Sequence, residues 1–237
     1  YYVEPDHSYY GQRNDIVPGE AALAMVMLAE YLNDDLWISG LPAFWSYYQP
    51  WFTERVERRL AGRPVPMLAY TNNDRLELVQ FGPWTVMAAN AYHARTGDTK
   101  VAEFGFAIAE WMIDTYGWMP DNTPYPDYLG GYYKMPFELP AMQAFCYSEG
   151  TAAAYAMAAR MKHPKRAYFE EATRASARFA LLMQYNQLNT YPFSRPNELI
   201  GGIRYAMNET KVRIDYVYHG QSTLVQWYHA AKNDPDL

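Results

Sequence analysis

The chain has 237 residues, half of them apolar and 17% aromatic, which suffices for a sizeable buried core and excludes an intrinsically disordered chain. A net charge of −6 argues against nucleic acid, and the one basic cluster, Arg55, Arg58, Arg59 and Arg63, reads as the solvated face of a helix end. The longest apolar run falls short of the ~20 residues of a bilayer span, and the single cysteine, Cys146, excludes an internal disulfide and a cysteine-based metal cage.

In chain order, residues 1–18 read as the tail of a loop, with Tyr9, Tyr10 and Gly11 ahead of a helix. Gly19 to Asn33 is that helix, rich in alanine, and a longer amphipathic stretch from Trp37 to Leu60 follows. The pattern returns as Gly82 to Gly97, then Val101 to Tyr116, and again as Gly150 to His163, then Ala167 to Tyr185. In the last of these, Phe169, Ala172, Ala175, Phe179 and Leu182 recur at steps of three and four, the helical period. A fourth opening, Gly220 to Asn233, has no partner stretch after it. Asn33, Gly97 and Asn233 are expected to close their helices in the left-handed conformation, and His163 before Pro164 to stop its helix by another route.

These closures lie 64, 66 and 70 residues apart, so one unit recurs: a small-residue helix, a tight turn, a bulkier helix and a long loop. Gly130-Gly131 and Gly201-Gly202 sit at matching places in two of the loops and predict tight bends or short hairpins. Small residues let helices approach on both sides, as an inner ring requires, and the bulkier helices then form an outer ring. The expected fold is therefore all-α, a single α/α-toroid domain over residues 1–237. It forms a partial ring of about three and a half hairpins with short β-hairpin loops. A closed ring needs more repeats, so a piece of a longer chain, or a short toroid completed by a partner subunit, is expected.

The units Ala91 to Met112 and Tyr147 to Phe179, with the Gly-Gly loops, resemble the α/α-toroid carbohydrate enzymes. Two branches that the chain resembles are the N-acylglucosamine 2-epimerase-like proteins and the C-terminal domain of D-glucuronyl C5-epimerases. The resemblance spans nearly the whole chain and rests on repeat architecture. It implies an epimerase, lyase or hydrolase acting on a sugar or uronate-containing glycan, and it transfers no site residue by residue. The chain carries neither the DxDD motif of protonating terpene cyclases nor the zinc-binding set of peptide cyclases.

In such a fold the loops leading into the inner helices gather on one face. Candidate residues are accordingly Glu20; Gln80 and Phe81; Tyr147, Ser148 and Glu149; and Asp215, Tyr216, Tyr218 and His219. Glu20 and Glu149 occupy near-equivalent positions and suit an acid–base pair, although an acid in a first helical turn is also ordinary capping. Alternation through residues 213–220 predicts an extended strand, with Arg213, Asp215 and Val217 on one side and Ile214, Tyr216 and Tyr218 on the other. His219 at its end suits a general base, and Arg204 or Arg213 suits a grip on a carboxylate. The structural alternative is an Arg213–Asp215 surface pair with a capping histidine.

The catalytic candidates are thus Glu149, His219, Asp215 and Glu20, and the substrate-binding candidates Tyr147, Arg204, Arg213, Tyr218 and Phe81. The five histidines show no metal-ligand spacing, so no metal and no cofactor are expected. The expected ligand is a sugar or polysaccharide, with no nucleic acid and no membrane span. The alternative is a non-catalytic scaffold whose concave tyrosine-rich surface binds a glycan, peptide or protein.

Overall fold

The computed structural model describes residues 2–3, 9–10, 16–60, 72–133, 139–142, 145–232 and 234; for 2–3, 9–10, 16–17, 57–60 and 72–80 it describes the backbone alone. After a small ribbon of β1 (Tyr2–Val3) and β2 (Tyr9–Tyr10), helices dominate: α1 (Ile16–Leu32), α2 (Leu41–Leu60), α3 (Asn72–Thr96), α4 (Thr99–Tyr116), α5 (Cys146–Met161) and α6 (Arg166–Met183). A one-turn helix α7 (Pro196–Leu199) and a second ribbon of β3 (Arg204–Ala206) and β4 (Glu209–Val212) precede α8 (Ile214–Lys232). The chain is predominantly helical, and among the described residues the strands form only these two antiparallel ribbons. No described helix is long and apolar enough to cross a membrane.

The small-residue helices pack side by side, α1 on α3, α3 on α5 and α5 on α8, while α4 lies against α3 and α6 against α5. Ala152, Ala153, Ala154 and Ala158 of α5 are buried, as is Ala22 of α1; Ala21 and Ala24 are exposed, so the alanine face of α1 is only part core. Bulky rings fill the space between α3 and its neighbours α2 and α4. Phe81 of α3 stacks on Tyr48 and Phe52 of α2, and Phe52 meets Phe104 and Trp111 of α4 edge-on.

The four glycines do not open the small-residue helices, because each helix begins several residues earlier, at Ile16, Asn72, Cys146 and Ile214. They mark close approach instead. A Cβ on Gly19 would lie 2.8 Å from Trp84 Cβ, and one on Gly150 3.0 Å from Pro83 Cα, so Pro83–Thr85 of α3 is clasped between α1 and α5. Gly82 faces Met112 of α4 in the same way, and Gly220 faces Ile203.

The helix closures hold at Asn33 and Gly97, with φ of 50° and 72°. In the third unit the left-handed residue is Lys162, one position before His163, and its N–H reaches the carbonyls of Ala158 and Ala159. Asn233 lies outside the described residues.

The Gly-Gly loops repeat atom for atom. Trp118 N–H donates to Gly131 O and Gly130 N–H to Trp118 O; Tyr185 N–H donates to Gly202 O and Gly201 N–H to Tyr185 O. Gly130 and Gly201 have φ of 84° and 90°, which a side chain would disfavour. Each loop is also clasped by an asparagine. Asn122 accepts from Met119 N–H and donates to Gly117 O, and Asn189 accepts from Asn186 N–H and donates to Gln184 O.

Candidate functional site

Residues 213–220 are not a strand: α8 starts at Ile214 and carries residues 214–220 as two helical turns, with Arg213 just before it. The alternating sequence hides a helical burial pattern, because the buried positions are Tyr216, Gly220 and Thr223, at steps of four and three, while Ile214 and Tyr218 are exposed. Asp215 in the first turn favours the helix through its macrodipole.

This places His219 in the second turn of α8, opposite Glu149 in the first turn of α5. His219 Nδ1 lies 2.7 Å from Glu149 Oε2, and Glu149 is completely buried. A carboxylate only accepts, so Nδ1 is the donor of this hydrogen bond. Among the described residues Nε2 has no hydrogen-bond partner. One turn further in, Ser148 Oγ and Thr223 Oγ1 share a buried 2.6 Å hydrogen bond, and Thr223 also donates to His219 O. Two adjacent cross-helix bonds therefore fix the imidazole relative to α5.

Glu149 Oε1 is buried with no hydrogen-bond partner among the described residues. Such an orphan costs about 1–3 kcal/mol and calls for a functional reason. Asp215, one helical turn before His219 and on the same face, also has a buried unpartnered oxygen, Oδ1, while its Oδ2 pairs with Arg213 at 3.1 Å. That pair is half-exposed, and the Arg213 guanidinium lies 5.1 Å from the centre of the Tyr216 ring.

Tyr218 ties Glu20 to this end of the molecule. Burial, then the charges of Glu149 and Glu20, raise its phenol above the ordinary tyrosine value. Glu20 lies on α1 and Tyr218 on α8, the two ends of the helix row, so these ends come near enough to interact electrostatically. Glu20 itself is exposed.

The remaining candidates are placed otherwise. Tyr147 is fully buried and stacks on Tyr116 with 5.4 Å between ring centres and 7° between planes. Two residues along a helix are about 200° apart, so it points away from the Glu149 side. Phe81 is likewise core, enclosed by Tyr48, Trp51 and Phe52. Neither offers a surface to a ligand. Arg204, on β3, reaches Leu182 O at 3.4 Å and belongs to the second Gly-Gly loop rather than to the histidine. The backbone of Gln80 lies within α3 and its side chain is outside the described residues. The Ser148–Thr223 brace was invisible to sequence reasoning, since two hydroxyls 75 residues apart form no local pattern.

Among the described residues, no three His, Cys, Asp or Glu side chains gather as a metal site. Comparison of the chain with protein-family models, curated proteins and solved structures finds no match.

Proposed function

We propose that the chain is an arc of an α/α toroid acting on a sugar or uronate-containing glycan, with His219 as general base and Glu149 as the residue that positions it. One observation carries this reading: the 2.7 Å contact between His219 Nδ1 and a completely buried Glu149 carboxylate. A buried carboxylate fixes the tautomer, aims Nε2 outward and stabilises the imidazolium that forms on proton uptake. The arc is supported by the consecutive packing of α1, α3, α5 and α8, and by the reach of the Glu20 charge to Tyr218 across that row.

For a uronate, Nε2 takes the proton from the carbon beside the carboxylate, and the electron pair moves onto that carboxylate as an enolate. Return of a proton from the opposite face gives the epimer. Expulsion of the neighbouring glycosidic oxygen gives the unsaturated product of a lyase. Tyr218, exposed beside His219 with 5.3 Å between ring centres, is the candidate donor, since a tyrosine phenol carries its proton at neutral pH. Hydrolysis by a Glu20–Glu149 pair has less support, since Glu149 is committed to His219.

The test is incubation with uronate-containing oligosaccharides in deuterated water, scored for deuterium beside the carboxylate and for unsaturated ends. Wild-type protein should incorporate deuterium or cleave, and His219→Ala and Glu149→Gln should lose at least about 100-fold, the low end for general base catalysis. Wild-type protein that neither exchanges nor cleaves a uronate overturns the reading.

A second reading, a non-catalytic binding surface, is favoured by the exposed stripe Ile214, Tyr218, Val225 and Tyr228 on α8, spaced at helical intervals. α1 exposes Met27, Leu28, Tyr31 and Leu32 at the other end of the row. Further hairpins or a partner subunit completing the ring would cover both faces.

A further inference from the structure

The last turns of α3, α5 and α8 border a cavity of about 480 Å³, floored by Ala156 and Ala159 and walled by Asn90, Arg160, Gln226 and His229. Arg160 follows Glu149 by eleven residues and His229 follows His219 by ten, so the cavity lies about 15 Å along the helices from the histidine–glutamate pair. A single sugar ring bound at His219 does not reach it.

The Arg160 side chain is held, but not by an acid. Its NH2 donates to Asn90 O and Oδ1 at 3.1 and 2.9 Å, and its Nε donates to His93 Nδ1 at 3.3 Å. His93 is a neutral partner, because burial and then the Arg160 charge lower its pKa. Among the described residues no carboxylate lies within ion-pair distance of Arg160, and its NH1 makes no hydrogen bond. A guanidinium fixed by neutral acceptors, with one edge unused, is a preorganised seat for an oxyanion. Gln226 adds a complementary group: its Nε2 donates to Ser222 Oγ at 3.0 Å, and its carbonyl oxygen has no partner among the described residues. His229 likewise makes no hydrogen bond among them. The wall therefore offers a fixed cation, a hydroxyl acceptor and an imidazole around a small-molecule volume.

We propose that this cavity binds a small polar anion, a sugar acid or sugar phosphate, with its oxyanion on Arg160 and its hydroxyls towards Gln226 and His229. The site does not depend on His219 being catalytic. The carboxylate and the phosphate share one chemistry, and titration calorimetry of the whole chain with glucuronate, glucose 6-phosphate and glucose separates them.

One of the two anions should bind with heat that weakens as salt is raised, and glucose should not bind. Arg160→Ala should weaken binding at least tenfold. Because Arg160 also fastens α5 to α3, Gln226→Glu provides a second probe: it leaves those bonds in place, sets a negative charge on the wall of the same cavity, and should weaken binding by a similar factor at unchanged melting temperature. Failure of both anions to bind at millimolar concentration overturns the proposal. So does equal binding of glucose, or full affinity in Gln226→Glu.

Discussion

Gly19→Ala isolates the contact on which the helix row depends. The added Cβ would lie 2.8 Å from Trp84 Cβ, 2.9 Å from Thr85 N and 3.0 Å from Thr85 Oγ1. Carbon atoms pack at about 3.5–4.0 Å, so α1 must retreat by roughly 0.7–1.2 Å. The opposing atoms cannot rotate away: Trp84 Cβ and Thr85 N move only with the α3 backbone, and Thr85 Oγ1 is bonded to Phe81 O at 2.7 Å. Overpacking of this kind typically costs about 1–3 kcal/mol, while alanine gains about 1 kcal/mol over glycine in a helix. The expected net loss is about 1 kcal/mol, and Gly19→Val, with two more methyl groups and a poorer helix former, should lose about 3 kcal/mol. In a domain of this size each kcal/mol is worth roughly 2–4 °C, so thermal unfolding followed by circular dichroism resolves both variants. A Gly19→Ala protein melting at or above the parent temperature would refute the close packing of α1 on α3.

Tyr132 is fully buried against Thr151, at 2.8 Å between hydroxyls, and burial pushes its pKa up to about 12. An unfolded tyrosine ionises near 10, so the folded chain holds the proton longer; stability present below pH 10 should fall by about 2 kcal/mol as pH rises from 10 to 12. Urea midpoints across this range should drop steeply for the parent and less for Tyr132→Phe; parallel curves would exclude Tyr132 as the source. Asp234 accepts from Tyr155 Oη at 2.8 Å and pairs with Arg166, its own side chain almost wholly buried. Asp234→Ala should cost about 3 kcal/mol and Asp234→Asn less; an unchanged urea midpoint in the alanine variant would show that this carboxylate does not fasten the segment after α8.

Helical pairing was legible because it is written in local periods. Ala167 to Tyr185 anticipates α6 within two residues at each end, and Asn33 and Gly97 close their helices as left-handed caps. The role of the glycines was not legible, because the reason Gly19 and Gly150 are glycine lies on another helix, at Pro83–Thr85. Residues 213–220 misled for a related reason: alternation over six residues satisfies both a strand and the start of a helix, and only the burial of Tyr216, Gly220 and Thr223 separates the two. Glu149 and His219 were reachable from position alone, since both stand near the start of a small-residue helix. Tyr147, two residues before Glu149, is no ligand contact, because two residues along a helix reverse the side a side chain faces. Arg160 and Gln226 gave no signal, belonging to no motif and meeting only through the packing of α3, α5 and α8.

The repeated loop clasp bears on how such a chain changes length. Between its two bonded ends the first loop runs from Trp118 to Gly130 and the second from Tyr185 to Gly201, four residues longer, yet the same backbone bonds close both. Extra residues are thus absorbed where the backbone meets solvent, and the outgoing strand leaves in the same place. The small-residue helices have no such slack. One residue inserted between Gly150 and Arg160 would turn everything beyond it by about 100°, carrying Arg160 off Asn90 while Glu149 stayed on His219. Insertions and deletions should therefore be tolerated in the Gly-Gly loops and eliminated from α1, α3, α5 and α8, so that length variation among homologous chains would itself trace this row of helices.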